Sequence, residues 1–317
     1  MGRLTDALVD RVAPTPEWED AIVADDPTLE LARDVMENPE TVTLRDGRQL
    51  GYADVGDPDG TPLVVFHGFP NSRVFGVVFD AIGREQGVRI LAPDRPGFGV
   101  SDPDPDRRLL DWPTDLADFL DGLGLDSSPV LGVSGGGPYA AASAALLPER
   151  VDHAGIASGL GPMAAVGVRD RLWYYTARGA GPLTKLLLWA AGRQALVDRD
   201  AFLQSLAESR SDADAALWTG PVGKVTHASM VEARRHHGLA PLVTETALFG
   251  RPWGIDLSAI EVPVTLWYGG ADTVVPPAMG RYLADRIPTA TEHYGPDLGH
   301  LSAFVENERE IVETLTA

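Results

Sequence analysis

The sequence contains no cysteine and only two lysines, Lys185 and Lys224. Without cysteine the protein has no disulfide bond, no thiol nucleophile and no thiolate metal ligand. The sequence also lacks a continuous apolar run long enough to cross a bilayer, and its first residues lack the apolar segment of a signal peptide. We therefore expect a cytoplasmic protein without a membrane partner.

Positive charge is scarce throughout the chain. Lysine and arginine total 26 against 46 aspartates and glutamates, which gives a formal net charge of −20. A chain this acidic repels nucleic acid and anionic membranes, which excludes functions that depend on binding them. Genomic base composition can favour arginine over lysine, but it does not by itself produce this excess of acidic residues. We infer a halophilic source, in which a high-salt cytosol screens the self-repulsion.

Short apolar runs that alternate with helical patterns predict the fold class. After a hairpin over residues 41–56, which turns at Asp46-Gly47, the predicted strands are Pro62–Phe66, Val88–Asp94, Pro129–Val133, Val151–Ser158, Val262–Tyr268 and Thr291–Tyr294. Runs that are apolar at nearly every position are typical of parallel strands covered on both faces. Their alternation with helices predicts an α/β protein with a mostly parallel, doubly wound sheet and helices on both faces.

This alternation is interrupted once, and the interruption divides the chain into predicted parts. Between residues 160 and 257 the apolar periodicity is helical throughout. We therefore predict a core of residues 41–159 and 258–317 with a helical cap insertion of residues 160–257, called the helical insertion below. Residues 1–40 form a predicted helical extension with two amphipathic segments. We leave open whether this extension packs on the core or on a second subunit of a homo-oligomer.

A serine among glycines follows the run Pro129–Val133. Gly132 and Gly136 flank Ser134 at the G-x-S-x-G spacing, and an alanine-rich helical segment comes next. A strand, a sharp turn and a helix form the context of a nucleophile elbow, in which small neighbours permit a strained turn. We predict that Ser134 is an exposed nucleophile. The alternative is a tight strand–helix turn whose glycines serve packing alone.

A serine nucleophile needs a base and an acid, and in a parallel sheet these follow the carboxyl ends of strands. His300, after the last predicted strand, is the predicted base, whereas His293 lies within that strand and is expected to face a packed surface. Asp272, in the glycine-rich turn after Tyr268, is the predicted acid. Asp297 is a rival, but it shares the short loop of His300 and is poorly placed to reach the far ring nitrogen.

Two backbone N–H groups are predicted to bind the oxyanion that forms during acyl transfer. Gly135, directly after the serine, supplies one, and Phe69, in the loop after the strand Pro62–Phe66, supplies the other. The adjoining His67 and Gly68 support this loop, because they let it bend sharply.

The order Ser134, Asp272 and His300, with His67-Gly-Phe-Pro and Asp94-Arg-Pro-Gly-Phe-Gly-Val-Ser101 upstream, resembles the α/β-hydrolase superfamily. The resemblance covers residues 41–317 apart from the helical insertion, which occupies the family's usual cap position, and it implies an eight-stranded sheet. The serine at the elbow differs from the aspartate of haloalkane dehalogenases and epoxide hydrolases. The loop at His67 is closer to those of esterases and cofactor-free haloperoxidases than to that of proline iminopeptidases.

The helical insertion is rich in aromatic residues. We predict that Trp173, Trp189, Trp218 and Phe249 line an apolar substrate pocket over the serine, the alternative being that they form the ordinary core of the insertion. No cluster of basic residues that would bind a carboxylate or phosphate is evident. Phosphate-loop, dinucleotide-binding and H-E-x-x-H motifs are absent, so we expect no cofactor and no metal.

Together these residues predict a serine hydrolase, most simply a carboxylesterase that cleaves a small or medium apolar ester through an acyl-enzyme. C–C or amide-bond hydrolysis, perhydrolysis and acyl transfer use the same side chains and stay open as alternatives. A non-catalytic sensor of a small ligand, with the same fold, is a third class.

The acidic composition predicts that salt stabilises the protein. We expect the melting temperature to rise between dilute buffer and molar sodium chloride, because the Debye length falls to about 3 Å at 1 M and the excess acidic groups then repel one another less. Thermal unfolding across a salt series measures this effect, with sucrose at equal osmolality as the control. Equal stability in dilute buffer and in molar salt would contradict the halophilic interpretation.

Overall fold

The computed structural model of the chain describes residues 27–167 and 181–317. Eight strands form one sheet, and they are β1 Glu40–Thr43, β2 Gln49–Gly56, β3 Thr61–Phe66, β4 Val88–Pro93, β5 Val130–Val133, β6 Ala154–Ala157, β7 Val264–Gly269 and β8 Ala290–Gly295. The strand order is β1-β2-β4-β3-β5-β6-β7-β8. Strands β3 to β8 are parallel, whereas β1 and β2 form the antiparallel hairpin and β2 joins the sheet antiparallel to β4. The predicted mostly parallel, eight-stranded sheet is confirmed.

Helices cover both faces of this sheet. Those outside the helical insertion are α1 Pro27–Glu37, α2 Asp80–Gln86, α3 Trp112–Leu123, α4 Gly137–Leu146, α10 Ala278–Ala284, α11 Ser302–Val305 and α12 Glu308–Leu315. Among the described residues between β6 and β7 there are five further helices, α5 Gly181–Val197, α6 Arg199–Ser209, α7 Asp212–Thr219, α8 Pro221–Arg235 and α9 Ala240–Phe249. None of the helices in the described ranges is both long and apolar enough to cross a membrane.

Two separate helices, α11 and α12, follow the loop after β8. One detail in this region differs from the sequence-based expectations. The expectation that His293 faces a packed surface is wrong, because β8 is the edge strand and has one neighbour. The side chain of His293 is 40% exposed, stacks on Trp267 and lies 2.6 Å from a carboxylate oxygen of Glu310.

The second amphipathic segment of the N-terminal extension forms α1. Pro27 begins this helix, where the missing N–H of proline leaves no hydrogen bond unmade. Leu29 and Val35 are buried on the side of α1 that packs against α8 and the 3-10 helix Arg73–Phe79. The first predicted segment, which includes Leu4, lies outside the described residues.

A buried cluster of charges joins α1, the core and α8. Nη1 of Arg73 lies 2.8 Å from a carboxylate oxygen of Asp94 and 2.8 Å from one of Glu232, and its Nη2 donates to the carbonyl oxygen of Val35. All three charged side chains are fully buried. Burial raises the pKa of Asp94, and the charge of Arg73 acts in the opposite direction. Arg73 therefore compensates two carboxylates that come from distant parts of the chain.

Replacing Arg73 by methionine is expected to lower the free energy of unfolding by about 3–5 kcal/mol, because the buried carboxylate of Asp94 loses its counter-charge and that of Glu232 keeps a longer pair with Arg235, at 3.4 Å. Urea unfolding of the variant and the wild type measures the change. The control is Arg84→Met, which removes a pair whose arginine side chain is 59% exposed and which should have little effect. Similar losses in both variants would show that burial of the cluster is unimportant.

Candidate active site

Ser134 lies in a sharp turn between β5 and α4. Its φ is +53°, a left-handed conformation that is strained for a residue with a side chain. A Cβ at Gly132 would collide with the carbonyl group of Gly136, and a Cβ at Gly136 would collide with that of Phe66. The turn can therefore form only with glycine at both positions. Ser134 itself is partly exposed, as predicted for an elbow.

The structure places the predicted base and acid in series with this serine. Nε2 of His300 lies 3.1 Å from Oγ of Ser134, and Nδ1 of His300 lies 2.8 Å from Oδ2 of Asp272. The side chain of Asp272 is fully buried and that of His300 is 7% exposed. Because a carboxylate only accepts hydrogen bonds, Nδ1 carries the ring proton and Nε2 presents its lone pair to the hydroxyl.

The carboxylate of Asp272 is held on its other side by the backbone. Its Oδ1 accepts hydrogen bonds from the N–H groups of Val274 and Val275, at 2.7 and 2.8 Å. Asp297, the rival acid, is exposed on the loop that follows β8. Asp272 lies at the carboxyl end of the adjacent strand β7, from which it reaches Nδ1 of His300. Asp272, and not Asp297, is therefore the partner of His300.

Two buried side chains that sequence reasoning missed hold the backbone of His300. Oδ2 of Asp214, at the start of α7, accepts from the N–H of His300 at 2.6 Å, and its Oδ1 accepts from the N–H and the hydroxyl of Ser302, both at 2.9 Å. On the other side, Oγ of Ser158 donates to the carbonyl oxygen of His300 at 2.8 Å. Ser158 has a φ of +47°. The histidine is thus fixed from the helical insertion and from the end of β6.

The loop after β3 packs directly against the elbow. The Cβ position of Gly135 would lie 3.0 Å from the backbone nitrogen of Phe69, and among the described residues that nitrogen donates to no backbone acceptor. His67 is fully buried, and its Nδ1 lies 2.8 Å from the carbonyl oxygen of Gly68. Burial, together with the charge of Arg95, lowers the pKa of His67 well below its usual value. His67 is therefore neutral and shapes the loop.

Arg95 connects this loop to the helical insertion. Its two Nη atoms donate to the carbonyl oxygens of His67 and Gly68, and its Nε lies 2.7 Å from Oε1 of Glu245 on α9. The guanidinium also lies over the ring of Tyr139, whose hydroxyl donates to Oε2 of Glu245 at 2.7 Å. Arg95 and Glu245 are fully buried. Arg95 belongs to the Asp94-Arg-Pro-Gly run, but no pattern in the sequence identified Glu245 as its partner.

A cavity of about 330 Å³ adjoins Ser134 and His300. Most of its lining is apolar and comes from the core and from the helical insertion, and the larger apolar members are Phe69, Phe75, Leu188, Phe202, Leu206, Trp218, Met230, Leu242, Leu301 and Phe304. The site therefore offers a partly enclosed apolar space beside the hydroxyl of Ser134.

The predicted pocket residues have different surroundings. Trp218 lines the cavity. Phe249 packs edge-to-face on Phe69, with ring centroids 5.8 Å apart, and Trp189 packs against a small cluster that includes Phe98. Trp173 lies outside the described residues. Within residues 27–167 and 181–317, no group of three or more histidine, aspartate and glutamate side chains is placed to hold a metal ion.

The fold and this arrangement define the class of protein. A hydroxyl, an imidazole and a buried carboxylate in series can transfer the hydroxyl proton to the ring while oxygen attacks a carbonyl carbon. The model of the alpha/beta hydrolase fold family matches residues 61–307. The chain belongs to this family.

Several curated relatives match over most of their length. The chain is similar to 2-hydroxymuconate semialdehyde hydrolase of Pseudomonas putida, with 28% identity over 86% of this chain and 92% of the relative. It is also 28% identical to pimeloyl-(acyl-carrier protein) methyl ester esterase of Chromobacterium violaceum, over 81% of this chain and 93% of that protein. Among solved structures, an alpha/beta hydrolase fold protein from Nakamurella multipartita superposes with a TM-score of 0.66 at 22% identity, covering 87% of this chain and 96% of that one.

The contacts of Asp214 predict that it positions His300. In Asp214→Asn the amide nitrogen replaces an acceptor and leaves at least one buried N–H unsatisfied, so stability should fall by about 1–3 kcal/mol. We also expect the downfield proton NMR resonance of the ring N–H between His300 and Asp272 to shift or broaden, which a loss of stability elsewhere would not cause.

The matched control for this variant is Asp297→Asn, which changes an exposed carboxylate on the same loop. It should leave both the resonance and the unfolding free energy unchanged. An unshifted resonance in Asp214→Asn would show that the histidine is held without this carboxylate.

Proposed function

We propose that the protein is a serine ester hydrolase that cleaves a small or medium, largely apolar carboxylic ester through an acyl-enzyme. The observation that carries this proposal is the series of hydrogen bonds from Asp272 to His300 and from His300 to Ser134, at 2.8 and 3.1 Å. Each of the three side chains lies at the carboxyl end of a different strand, which is where parallel α/β sheets hold their reacting groups.

The proposed mechanism assigns one task to each group. Oγ of Ser134 attacks the ester carbonyl carbon while Nε2 of His300 takes the hydroxyl proton, and Asp272 keeps the ring in the required tautomer. The N–H groups of Phe69 and Gly135 bind the oxyanion of the tetrahedral intermediate. His300 then gives the proton to the leaving alcohol. A water molecule then attacks the acyl carbon while Nε2 of His300 takes a proton from it. The ring returns this proton to Oγ of Ser134 as the carboxylic acid leaves.

Ester cleavage is favoured over C–C cleavage by what each reaction requires of the leaving group. An alkoxide leaving group needs only the proton that His300 already holds, whereas C–C cleavage needs a carbon atom to be protonated. One curated relative is named an esterase and another a semialdehyde hydrolase, which is consistent with a shared set of groups that serves several bonds. The mostly apolar cavity has room for an acyl or alcohol group of modest size.

The helices between β6 and β7 are proposed to act as a cap over the serine. Helices α5, α6 and α8 each contribute residues to the cavity. A cover of this kind limits access of water and selects the substrate by shape. The identity of the substrate is then decided by the lining of the insertion more than by the elbow.

Ser134→Ala is expected to lower hydrolysis of p-nitrophenyl butyrate by about a thousandfold or more, because the remaining groups have no nucleophile to activate. The wild type should also release a burst of nitrophenolate as the acyl-enzyme forms, and a fluorophosphonate should label Ser134 as located by mass spectrometry. Ser127→Ala, on the loop before β5, is the control and should retain the burst and the label.

Two outcomes would contradict the proposal. Label on another residue would place the nucleophile elsewhere. A folded wild type that hydrolyses no member of an acyl-chain series, yet binds small esters, would favour the sensor.

A further inference from the structure

Two arginines line the cavity beside Ser134. Arg234 is in the last turn of α8, and Arg210 directly follows α6. Most arginines that the structure describes form ion pairs with carboxylates, as Arg73 and Arg95 do. Within residues 27–167 and 181–317, Arg210 and Arg234 have no such pair, and Nε of Arg210 is buried without a hydrogen-bond partner there. The cavity thus contains positive charge that the described protein does not neutralise.

Helical spacing explains why both arginines face the cavity. Its lining includes Thr226, Met230 and Arg234 from α8, and Phe202, Leu206 and Arg210 from α6 and the residue after it. Residues four apart share one face of a helix. On each helix the stripe ends in arginine, so the two cations are part of the same face as the apolar lining. The sequence showed no basic cluster, because the two arginines lie on separate helices.

Helix α5 leaves room for the guanidinium of Arg234. A Cβ at Gly192, in the middle of α5, would collide with Nη1 of Arg234 and lie 3.0 Å from its Nη2. Glycine inside a helix is less stabilising than alanine, so Gly192 lowers the stability of α5 but leaves space for the guanidinium of Arg234. Within the described residues, the one hydrogen bond of the Arg234 side chain runs from Nε to the carbonyl oxygen of Met230 on its own helix, at 3.3 Å. The terminal Nη atoms, which form the fork of the guanidinium, are left for a ligand.

The guanidinium stays charged in this setting. Burial lowers the pKa of Arg234 to about 10, so it is protonated at neutral pH. A cation at the carboxyl end of a helix gains some stability from the helix dipole, but this gain is small beside the cost of removing the charge from water. A buried cation of this kind is normally paired.

The chemistry of the cavity limits what the ligand can be. A guanidinium fork matches a carboxylate, with two parallel N–H···O bonds. The volume of about 330 Å³ lies at the lower end of the range for small-molecule sites, and the rest of the lining is mostly apolar. A short chain of methylene groups between a carboxylate and the scissile carbonyl fits these features.

We propose that the substrate is a small ester that bears a free carboxylate in addition to the scissile bond, and that Arg234 binds this carboxylate. This inference rests on the proposed function and narrows its substrate class. Arg210 lines the same cavity and adds to the positive potential there. The small or medium apolar ester expected from the sequence is thereby replaced by an ester with an anionic end.

Two matched esters test the proposal. One is mono-p-nitrophenyl adipate, which has a free carboxylate, and the other is its methyl ester, which has the same chain without the charge. In the wild type, kcat/KM should be at least about tenfold higher for the acid, the effect of one charge-assisted hydrogen bond. In Arg234→Gln this ratio should fall about tenfold. The control Arg251→Gln removes an exposed arginine outside the cavity and should keep the wild-type ratio.

A second variant tests the site without deleting the charge. In Gly192→Ala the new methyl group displaces the guanidinium, so the same ratio should fall although Arg234 is present. This variant keeps the proposal testable if Arg234→Gln does not fold. An unchanged ratio in both folded variants would overturn the role of Arg234.

Binding to Ser134→Ala separates this inference from the proposed function. Monomethyl adipate should raise the melting temperature of this variant more than dimethyl adipate does, and adding Arg234→Gln should remove the difference. Equal effects of the two esters, with ester hydrolysis intact in the wild type, would overturn the anionic substrate and leave the hydrolase. Selective binding of the acid without turnover of any ester would overturn the hydrolase and leave the anion site.

Discussion

The left-handed backbone of Ser134 decides whether its hydroxyl faces the imidazole of His300. A non-glycine residue in this conformation costs about 1–3 kcal/mol, so the surrounding structure must enforce it. Gly132 and Gly136 permit the close packing that enforces it, because a Cβ at either position would collide with a carbonyl group of the neighbouring turn or strand. The strand β5 and the helix α4 can then approach closely, and the hydroxyl points away from the sheet toward the ends of β7 and β8. Every later contact in the site depends on this turn.

Three consecutive helices of the insertion each place one fully buried carboxylate against the core. Asp214 of α7 binds the backbone of His300, Glu232 of α8 pairs with Arg73, and Glu245 of α9 pairs with Arg95, which holds the loop of Phe69. Buried ion pairs contribute little net stability, but their geometry is specific. The insertion is thereby aligned with two separate parts of the site, the imidazole of His300 and the loop of Phe69. An insertion docked by apolar packing alone would be less constrained in position.

Local patterns were enough to select Ser134, Asp272 and His300, which the structure brings within hydrogen-bond distance, because each follows a recognisable strand and lies in a glycine-containing turn. The strands and their mostly parallel arrangement followed equally from alternation and apolar runs, whereas their order in the sheet came only from the structure. Asp214 gave no signal, since an acidic residue in the first turn of a helix is ordinarily an exposed partner of the helix dipole. Its burial follows from the docking of α7 on the loop after β8, which is a contact between distant segments. His293 was misplaced for a similar reason, because only the completed sheet shows that β8 lies at its edge.

Two arginines line the cavity of a protein whose net charge is strongly negative. The protein as a whole is strongly acidic, and its long-range field opposes the approach of an anion at low ionic strength. Salt screens that field over distances of about 8–10 Å or more at 0.10–0.15 M, whereas a charge buried in a cavity is screened much less. In concentrated salt the general repulsion is therefore weakened while the local attraction of Arg234 persists. The acidic composition of the chain is for this reason compatible with an arginine that binds an anionic substrate.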